Sequence, residues 1–208
     1  MKKIYLVRHG QTNANAEEYV PSKEEPLNDN GVMQAGALSE RLANIDFDKI
    51  IVSDFLRAQQ TAEAISKLKG IIPEVHPAFG EMLEPTSLYG VVDTDERVQK
   101  YRSDRNNNVE DSNWRFEDGD NFNDVLGRVF VSKDILETDN CERILVVTHG
   151  YFSQIFTATI LLGIKKPSKE WFHTIETLKN SNTAISLFTF DDKKWKLMLW
   201  NDHAHFAE

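Results

Sequence analysis

The sequence is poor in cysteine and has no long apolar run. Its single cysteine, Cys141, cannot form an internal disulfide in this chain of 208 residues. This excludes a disulfide-stapled fold and fits a reducing compartment. No segment approaches the roughly 18 to 20 apolar residues that cross a bilayer, and residues 1–8 (MKKIYLVR) hold too few of them for a secretion signal. We therefore expect a cytoplasmic protein that does not enter membranes.

Positive charge is also scarce. The chain has 24 Lys and Arg residues against 33 Asp and Glu residues, a formal net charge of −9 at pH 7. An acidic surface repels nucleic acids and anionic lipids, so we expect neither as a partner. An anionic ligand of this protein must therefore bind in a local pocket of positive charge.

Several catalytic motifs are missing as well. The chain has no His-Glu-x-x-His and no cysteine pair, so we expect no metal site. The nearest match to a P-loop, 31–36, continues with Ala37 and Leu38 where a lysine and a hydroxyl residue are required. No Gly-x-Ser-x-Gly occurs either. These absences argue against a metallohydrolase, a P-loop nucleotide hydrolase and a serine hydrolase.

Short apolar runs alternate along the chain with longer segments of helical period, which is typical of a parallel sheet covered by helices. The predicted strands are 3–7, 49–53, 71–75, 143–148, 184–190 and 195–200. The predicted helices are 31–45, 54–67, 121–136, 151–162 and 168–178. The strand 143–148 (RILVVT) has the pattern of a strand buried on both faces and should be central, whereas the last two strands should form an antiparallel hairpin at the edge. We expect a single domain, 1–208, with an α/β fold: a three-layer α/β/α sandwich whose mostly parallel sheet has an antiparallel edge.

Two of the predicted helices carry more detailed expectations. Met33, Leu38, Leu42 and Ile45 should form one apolar stripe on the first helix. Asp54 should favour the positive end of the second helix dipole.

Two segments, 13–27 and 84–118, do not fit this alternation. The second mixes aromatic side chains with many charged ones, too polar for a core and too aromatic for a plain linker. We interpret it as a helical insertion that is either a lid over a site or a solvated decoration.

Two His-Gly pairs follow predicted parallel strands. Arg8-His9-Gly10 ends the first strand and Thr148-His149-Gly150 ends the central one, where open α/β sheets bind ligands. Arg57 begins the helix after the second strand, so the guanidinium groups of Arg8 and Arg57 can converge on the same edge. Two guanidinium groups beside two imidazoles favour a phosphate site, because each guanidinium can bind phosphate oxygens in a bidentate manner.

The chain resembles the histidine phosphatase superfamily, the phosphoglycerate-mutase-like clan. The resemblance lies in 6–12 (LVRHGQT) with Asn15, 26–35 (PLNDNGVMQA), 53–62 (SDFLRAQQTA) and 147–150 (VTHG), and in a C-terminal Asn201-Asp202 with His205. The order and spacing match through nearly the whole chain.

The resemblance implies a phosphohistidine mechanism without a metal or cofactor. His9 would attack phosphorus, while Arg8, Asn15, Arg57 and His149 would hold the phosphoryl oxygens. A carboxylate after the third strand would be the general acid.

Two carboxylates compete for the role of general acid. Glu81 matches the family position, and the nearby Glu84 is its competitor. The implied activity is hydrolysis of a small phosphorylated metabolite. A mutase, or a phosphate-binding module without catalysis, is the alternative.

The chain departs from the family in regions that touch substrate recognition. Residues 85–90 (PTSLYG) replace the usual Gly-x-x-Glu-Gly, and 119–121 (GDN) replaces Gly-Glu-Ser. The Arg-His-Tyr-Gly stretch of cofactor-dependent mutases is absent, which favours a phosphatase. The basic residues of the insertion either add anion contacts or form a solvated mixed-charge helix; they are Arg97, Lys100, Arg102, Arg105 and Arg115.

Overall fold

A six-stranded sheet forms the centre of this computed structural model, which describes residues 1–111, 114–164 and 168–206. The strands are β1 (Lys2–Arg8), β2 (Lys49–Val52), β3 (Glu74–Val75), β4 (Arg143–Thr148), β5 (Ile185–Asp191) and β6 (Lys194–Asp202). Their order across the sheet is β3-β2-β4-β1-β5-β6. The first four in this order are parallel, β5 is antiparallel to β1, and β6 is antiparallel to β5, so the edge with antiparallel pairing contains two strands.

Helices cover both faces of the sheet. In the described residues they are α1 (Asn13–Glu17), α2 (Asp29–Arg41), α3 (Leu56–Lys69), α4 (Glu96–Asn107), α5 (Phe122–Thr138), α6 (Gly150–Leu162) and α7 (Lys169–Thr177). Because side chains alternate along a strand, Ile4 and Leu6 of β1 join the core under α5 and α6. Val7 joins the opposite core under α2 and α3. This is the predicted three-layer α/β/α sandwich.

The third strand is much shorter than predicted. Only Glu74 and Val75 pair with β2, and Ile72 is 91% exposed. Pro73 lacks an amide hydrogen and cannot donate to the neighbouring strand, so the ladder begins after it. The prediction of a strand from 71 was therefore wrong.

Two predictions for helix α2 also need correction. The helix ends at Arg41, before Ile45, although Leu42 and Ile45 still pack in the core. Met33 is 62% exposed and does not join the apolar stripe. Met33 lies five positions before Leu38 on the helix, which turns the Met33 side chain about 140° away from the face that carries Leu38.

The start of α3 differs from the prediction as well. This helix begins at Leu56, and Asp54 lies before it. The Asp54 carboxylate bonds the Lys23 ammonium at 2.5 Å, so Asp54 serves an ion pair with the segment 13–27 rather than the helix terminus.

The segments 13–27 and 84–118 contact each other through backbone hydrogen bonds. Val20 N donates to Val91 O at 3.0 Å, Gly90 N to Val20 O at 2.9 Å, and Asp93 N to Glu18 O at 2.7 Å. We call these three bonds the rim ladder. The rest of the second segment contains α4, and its residues 112 and 113 lie outside the described residues. In the described residues, no helix has the length and apolar character to cross a membrane.

A contact between two glycines joins the end of β1 to α2. A Cβ atom at Gly31 would lie 2.0 Å from Gln11 O, and a Cβ at Gly10 would lie 2.6 Å from Gly31 O. Both distances are far below any van der Waals contact, so only glycine lets the loop after β1 approach the first turn of α2. The contact fixes the position of the loop that carries His9.

We expect Gly31→Ala to lower the free energy of unfolding by at least about 3 kcal/mol, because two backbone segments would have to separate. Gly36→Ala is the matched control on the same helix, since a Cβ there meets nothing within 4 Å. Replacing that glycine should stabilise the helix by about 0.5 to 1 kcal/mol. Urea unfolding of both variants measures the difference, and equal stability would refute the close contact.

Candidate active site

The two His-Gly pairs lie side by side at the ends of neighbouring strands. Strands β1 and β4 are parallel neighbours, and Arg8 is in register with Thr148. The chain continues the pairing beyond the strands, because His9 N donates to Thr148 O at 2.9 Å. The imidazole centroids of His9 and His149 are 5.2 Å apart.

The His9 imidazole is buried and held in one tautomer. Its Nδ1 lies 2.7 Å from Gly10 O, and a carbonyl can only accept, so Nδ1 carries the proton. Its Nε2 accepts a hydrogen bond of 3.2 Å from Arg57 Nε. Burial lowers the pKa of His9 well below its ordinary value, and the charges of Arg57 and Arg8 lower it further. His9 therefore presents an unprotonated nitrogen to a cationic surrounding.

Arg57 lies buried beside His9, with a relative exposure of 3%. Its Nη1 donates to Ser22 O at 2.9 Å, and its guanidinium stacks on the Phe55 ring at 4.9 Å from the centroid. Burial lowers the pKa of Arg57 to about 10, which still leaves the group positively charged at neutral pH. Because one side of the guanidinium is anchored in this way, its orientation is set before any ligand arrives.

Arg8 is the second arginine that lines the cavity beside His9. Its Nη1 donates to the carbonyl oxygen of Asn180, and its buried Nε has no hydrogen-bond partner in the described residues. The α carbon of Gly150 packs against it, since a Cβ there would lie 3.3 Å from Arg8 Nε. Burial lowers the pKa of Arg8, with Glu81 acting in the opposite direction.

His149 is fully buried behind the cavity. Its Nε2 lies 2.7 Å from Ser53 Oγ, and its Nδ1 has no partner among the described residues. Burial lowers the pKa of His149 well below the ordinary value, and the neighbouring Arg57 adds to the effect. The imidazole is therefore neutral at neutral pH.

The Glu81 carboxylate caps the N-terminus of α6 from outside the helix. Oε2 accepts from Tyr151 N and Oε1 from Phe152 N, both at 3.0 Å. Burial raises the pKa of Glu81, while Met82 N, the Arg57 charge and these two amides act in the opposite direction. Such a balance suits a group that has to hold a proton at one moment and lose it at the next.

Glu84 occupies a different environment from Glu81. Its Oε1 lies 3.8 Å from Arg105 Nη1, next to the insertion helix α4. Glu81 interacts with Arg57 and Arg8. The structure thus separates the two carboxylates that sequence spacing alone left close together.

Asn15 lies at the entrance to the site. Its Oδ1 accepts from Thr12 N at 3.3 Å and from Asn182 Nδ2 at 3.2 Å. Asn182 Nδ2 also donates to His9 O at 3.0 Å, which ties the loop before β5 to the loop after β1. Ser53 and Asn182 were not predicted as site residues. Ser53 opens the stretch 53–62 that carries part of the family resemblance, whereas nothing in the local sequence marks Asn182.

These groups surround one cavity of about 500 Å³. Arg8, His9, Asn15, Arg57 and Glu81 line it, and His149 lies behind it. The insertion supplies part of the wall through Arg102, Arg105 and Asn106. In the part of the chain that the structure describes, no three His, Cys, Asp or Glu side chains are grouped as metal ligands would be.

The matches to known proteins extend over nearly the whole chain. The model of the histidine phosphatase superfamily (branch 1) matches residues 4–203. A probable phosphoglycerate mutase, GpmB of Enterobacter sp. (strain 638), is 30% identical over 206 residues, which cover 96% of this chain and 90% of the relative.

Two solved structures share the fold. The putative α-ribazole-5′-P phosphatase of Escherichia coli (strain K-12, substrain MG1655) is 24% identical with a TM-score of 0.81, and covers 100% of this chain and 99% of its own. YhfR of Bacillus stearothermophilus is 21% identical with a TM-score of 0.84, with 99% coverage of both chains.

Proposed function

The chain belongs to the histidine phosphatase superfamily, and on this premise we propose that it is a phosphomonoesterase that forms a phosphohistidine at His9. The proposed substrate is a small phosphorylated metabolite. A cavity of about 500 Å³ has room for a molecule of that size. The proposed reaction requires no metal ion and no cofactor.

The observation that carries the proposal is the state of His9. Its Nε2 is unprotonated and points toward Arg57, while its Nδ1 is held by Gly10 O. A neutral imidazole whose unprotonated nitrogen faces cationic groups is suited to attack an electrophile that arrives as an anion. A phosphoryl group has both properties.

The first step transfers the phosphoryl group to the protein. His9 Nε2 forms a bond to phosphorus as the bond from phosphorus to the ester oxygen breaks. Arg8 and Arg57 stabilise the charge on the phosphoryl oxygens, and the Nδ1 of His149 donates a hydrogen bond to a phosphoryl oxygen. The departing oxygen takes the proton of Glu81, so the alcohol leaves neutral.

The second step releases phosphate. Water attacks the phosphohistidine, the nitrogen–phosphorus bond breaks, and Glu81 receives the proton that the water loses. His9 returns to its neutral form and Glu81 to its protonated form, so the cycle closes without another reactant.

A direct test uses the purified protein and phenyl phosphate in the presence of excess EDTA. We expect turnover to persist, and rapid acid-free quenching during turnover to trap phosphate on the protein in an acid-labile, alkali-stable form. Loss of activity with EDTA that returns on adding a divalent metal would contradict the proposed mechanism.

We expect Glu81→Gln to lower kcat/KM by roughly 10² to 10⁴ for alkyl phosphates and much less for 4-nitrophenyl phosphate, whose leaving group needs no proton.

In the wild type, kcat/KM should fall on the acid side as His9 gains a proton, below pH 6.5 because its pKa is lowered. It should fall on the alkaline side as Glu81 loses its proton, above pH 4.5 because its pKa is raised.

Glu81→Gln should remove only the alkaline limb, once the titration of the substrate itself is subtracted. Glu84→Gln is the control and should keep both limbs. If Glu84→Gln instead shows the leaving-group dependence, the proton donor is Glu84.

A phosphoglycerate mutase is the second candidate, because the relative that is 30% identical is named as a probable one. Both activities would share the phosphohistidine and differ in what accepts the phosphoryl group. Incubation with 3-phosphoglycerate and a catalytic amount of 2,3-bisphosphoglycerate separates them. Release of inorganic phosphate supports the phosphatase, and accumulation of 2-phosphoglycerate supports the mutase.

A further inference from the structure

The insertion helix α4 sends only some of its positive charges toward the cavity. Arg97 and Lys100 pair with Asp95 and Asp104 on its outer surface. Arg102 and Arg105 line the same cavity as His9. The solvated-helix interpretation therefore holds for one face of α4 and fails for the other.

Lys23, Arg102 and Arg105 line the cavity and differ in how close their carboxylate partners lie. The Lys23 ammonium lies 2.5 Å from Asp54 Oδ2, and Arg102 Nη2 lies 2.7 Å from Asp93 Oδ1. Arg105 Nη1 is 3.8 Å from Glu84 Oε1, which is too far for a hydrogen bond. Arg105 is therefore the least satisfied of these cations.

The Arg105 side chain is nevertheless held in place. Its guanidinium lies over the Tyr101 ring at 5.5 Å and near the Tyr151 ring at 6.0 Å. Its Nη1 is 3.8 Å from Met82 Sδ, and 23% of the side chain remains exposed. Two aromatic rings thus orient a guanidinium whose carboxylate neighbour, Glu84, lies beyond hydrogen-bond distance, which lowers the entropy cost of binding an anion.

Three carboxylates also line the cavity and bear on its charge. Glu81 is occupied by backbone amides at the inner end. Glu176 is an exposed residue at the outer wall, and Glu84 is the loose partner of Arg105. A ligand oxyanion would therefore compete with Glu84 for Arg105.

We infer that Arg105 is a specificity-determining residue, which binds a second oxyanion on the far end of the substrate. This inference rests on the proposed function, since the phosphoryl group is assumed to lie at His9. A guanidinium binds a carboxylate and a second phosphate in the same bidentate manner. The chemistry that both share, a planar or tetrahedral oxyanion, is therefore what Arg105 selects.

The test compares matched substrates that differ only at the far end. Phenyl phosphate has no second charge, 4-carboxyphenyl phosphate adds a carboxylate, and 1,4-phenylene bisphosphate adds a phosphate. We expect the wild type to prefer the charged substrates in kcat/KM. Whichever of the two gains more identifies the source of the oxyanion.

Variants on the outer wall give opposite expected effects. Arg105→Gln should reduce the preference for the charged substrates roughly 10- to 100-fold, the worth of a hydrogen bond to a charged group, and should lower the turnover of phenyl phosphate much less than that of the charged substrates. Arg105→Lys should restore part of the preference. Glu84→Gln should increase the preference up to about fivefold, because it removes the competing carboxylate. Arg97→Gln, on the outer face of α4, is the matched control and should change nothing.

Binding of unreactive analogues separates this inference from the proposed function. Phenylphosphonate and 4-carboxyphenylphosphonate should differ in Kd by calorimetry for the wild type and not for Arg105→Gln, whether or not any ester is hydrolysed. Hydrolysis of phenyl phosphate without any preference for the charged substrates would overturn the role of Arg105 alone. Absence of all hydrolysis, with the difference in Kd intact, would overturn the phosphatase and keep the second anion site.

Discussion

We expect His9→Ala to lower kcat for phenyl phosphate by about 10⁶-fold, the scale seen when a catalytic nucleophile is removed. Without Nε2, the proposed covalent intermediate at this position cannot form. The remaining cationic groups would still bind phosphate and could favour direct attack by water only weakly. The measurement is single-turnover hydrolysis together with trapping of labelled phosphate on the protein, which should be absent from the variant.

The His9 variant should remain folded. The His9 imidazole makes one hydrogen bond to the adjacent Gly10 and one to Arg57, so removing this side chain should change the free energy of unfolding by no more than about 2 kcal/mol. His173→Ala, on the exposed face of α7, controls for loss of an imidazole elsewhere. Turnover within tenfold of the wild type would remove His9 from the mechanism.

Arg57→Lys should lower kcat by roughly 10² to 10³, although the positive charge is kept. The lysine ammonium is a point charge that cannot donate to His9 Nε2, to Ser22 O and to a phosphoryl oxygen in a fixed plane, as the guanidinium can. The loss should appear in kcat more than in KM, because the orientation matters most when charge shifts in the transition state.

Vanadate provides a second measurement for the Arg57 variant, since it takes the trigonal bipyramidal shape of the phosphoryl group in transfer. Its inhibition constant should rise with the loss in kcat, while the Kd for phosphate changes less. Arg41→Lys is the control, because Arg41 pairs with Asp202 at the surface. A wild-type kcat in Arg57→Lys would show that charge alone is sufficient at this position.

The fold could be predicted where one physical signal dominates. The segment 143–148 is apolar at nearly every position, and only a strand buried on both faces accommodates that pattern. The prediction of the third strand failed because an apolar run does not show whether its backbone can form hydrogen bonds to a neighbouring strand. Pro73 prevents that pairing, and Ile72 is left in solvent.

The candidate site could be predicted where residues directly follow the strands of one sheet. His9 and His149 were found because each ends a strand of the same sheet, and strand ends meet at one edge. Ser53 and Asn182 were missed, because their importance lies in contacts with His149 and His9 from distant parts of the chain. The sequence could not tell which basic residues of α4 line the cavity, because helical period alone does not say which face of a helix turns toward it.

The rim ladder couples two segments that are far apart in sequence. The amides of Val20, Gly90 and Asp93 close it, and each is bonded to the opposite segment. Opening the cavity by lifting the insertion alone would break all three bonds at once, so the segments 13–27 and 84–95 should unfold locally as one cooperative unit. In native-state hydrogen exchange, these amides should share a single opening free energy, and one ligand in the cavity should raise the protection of both segments together.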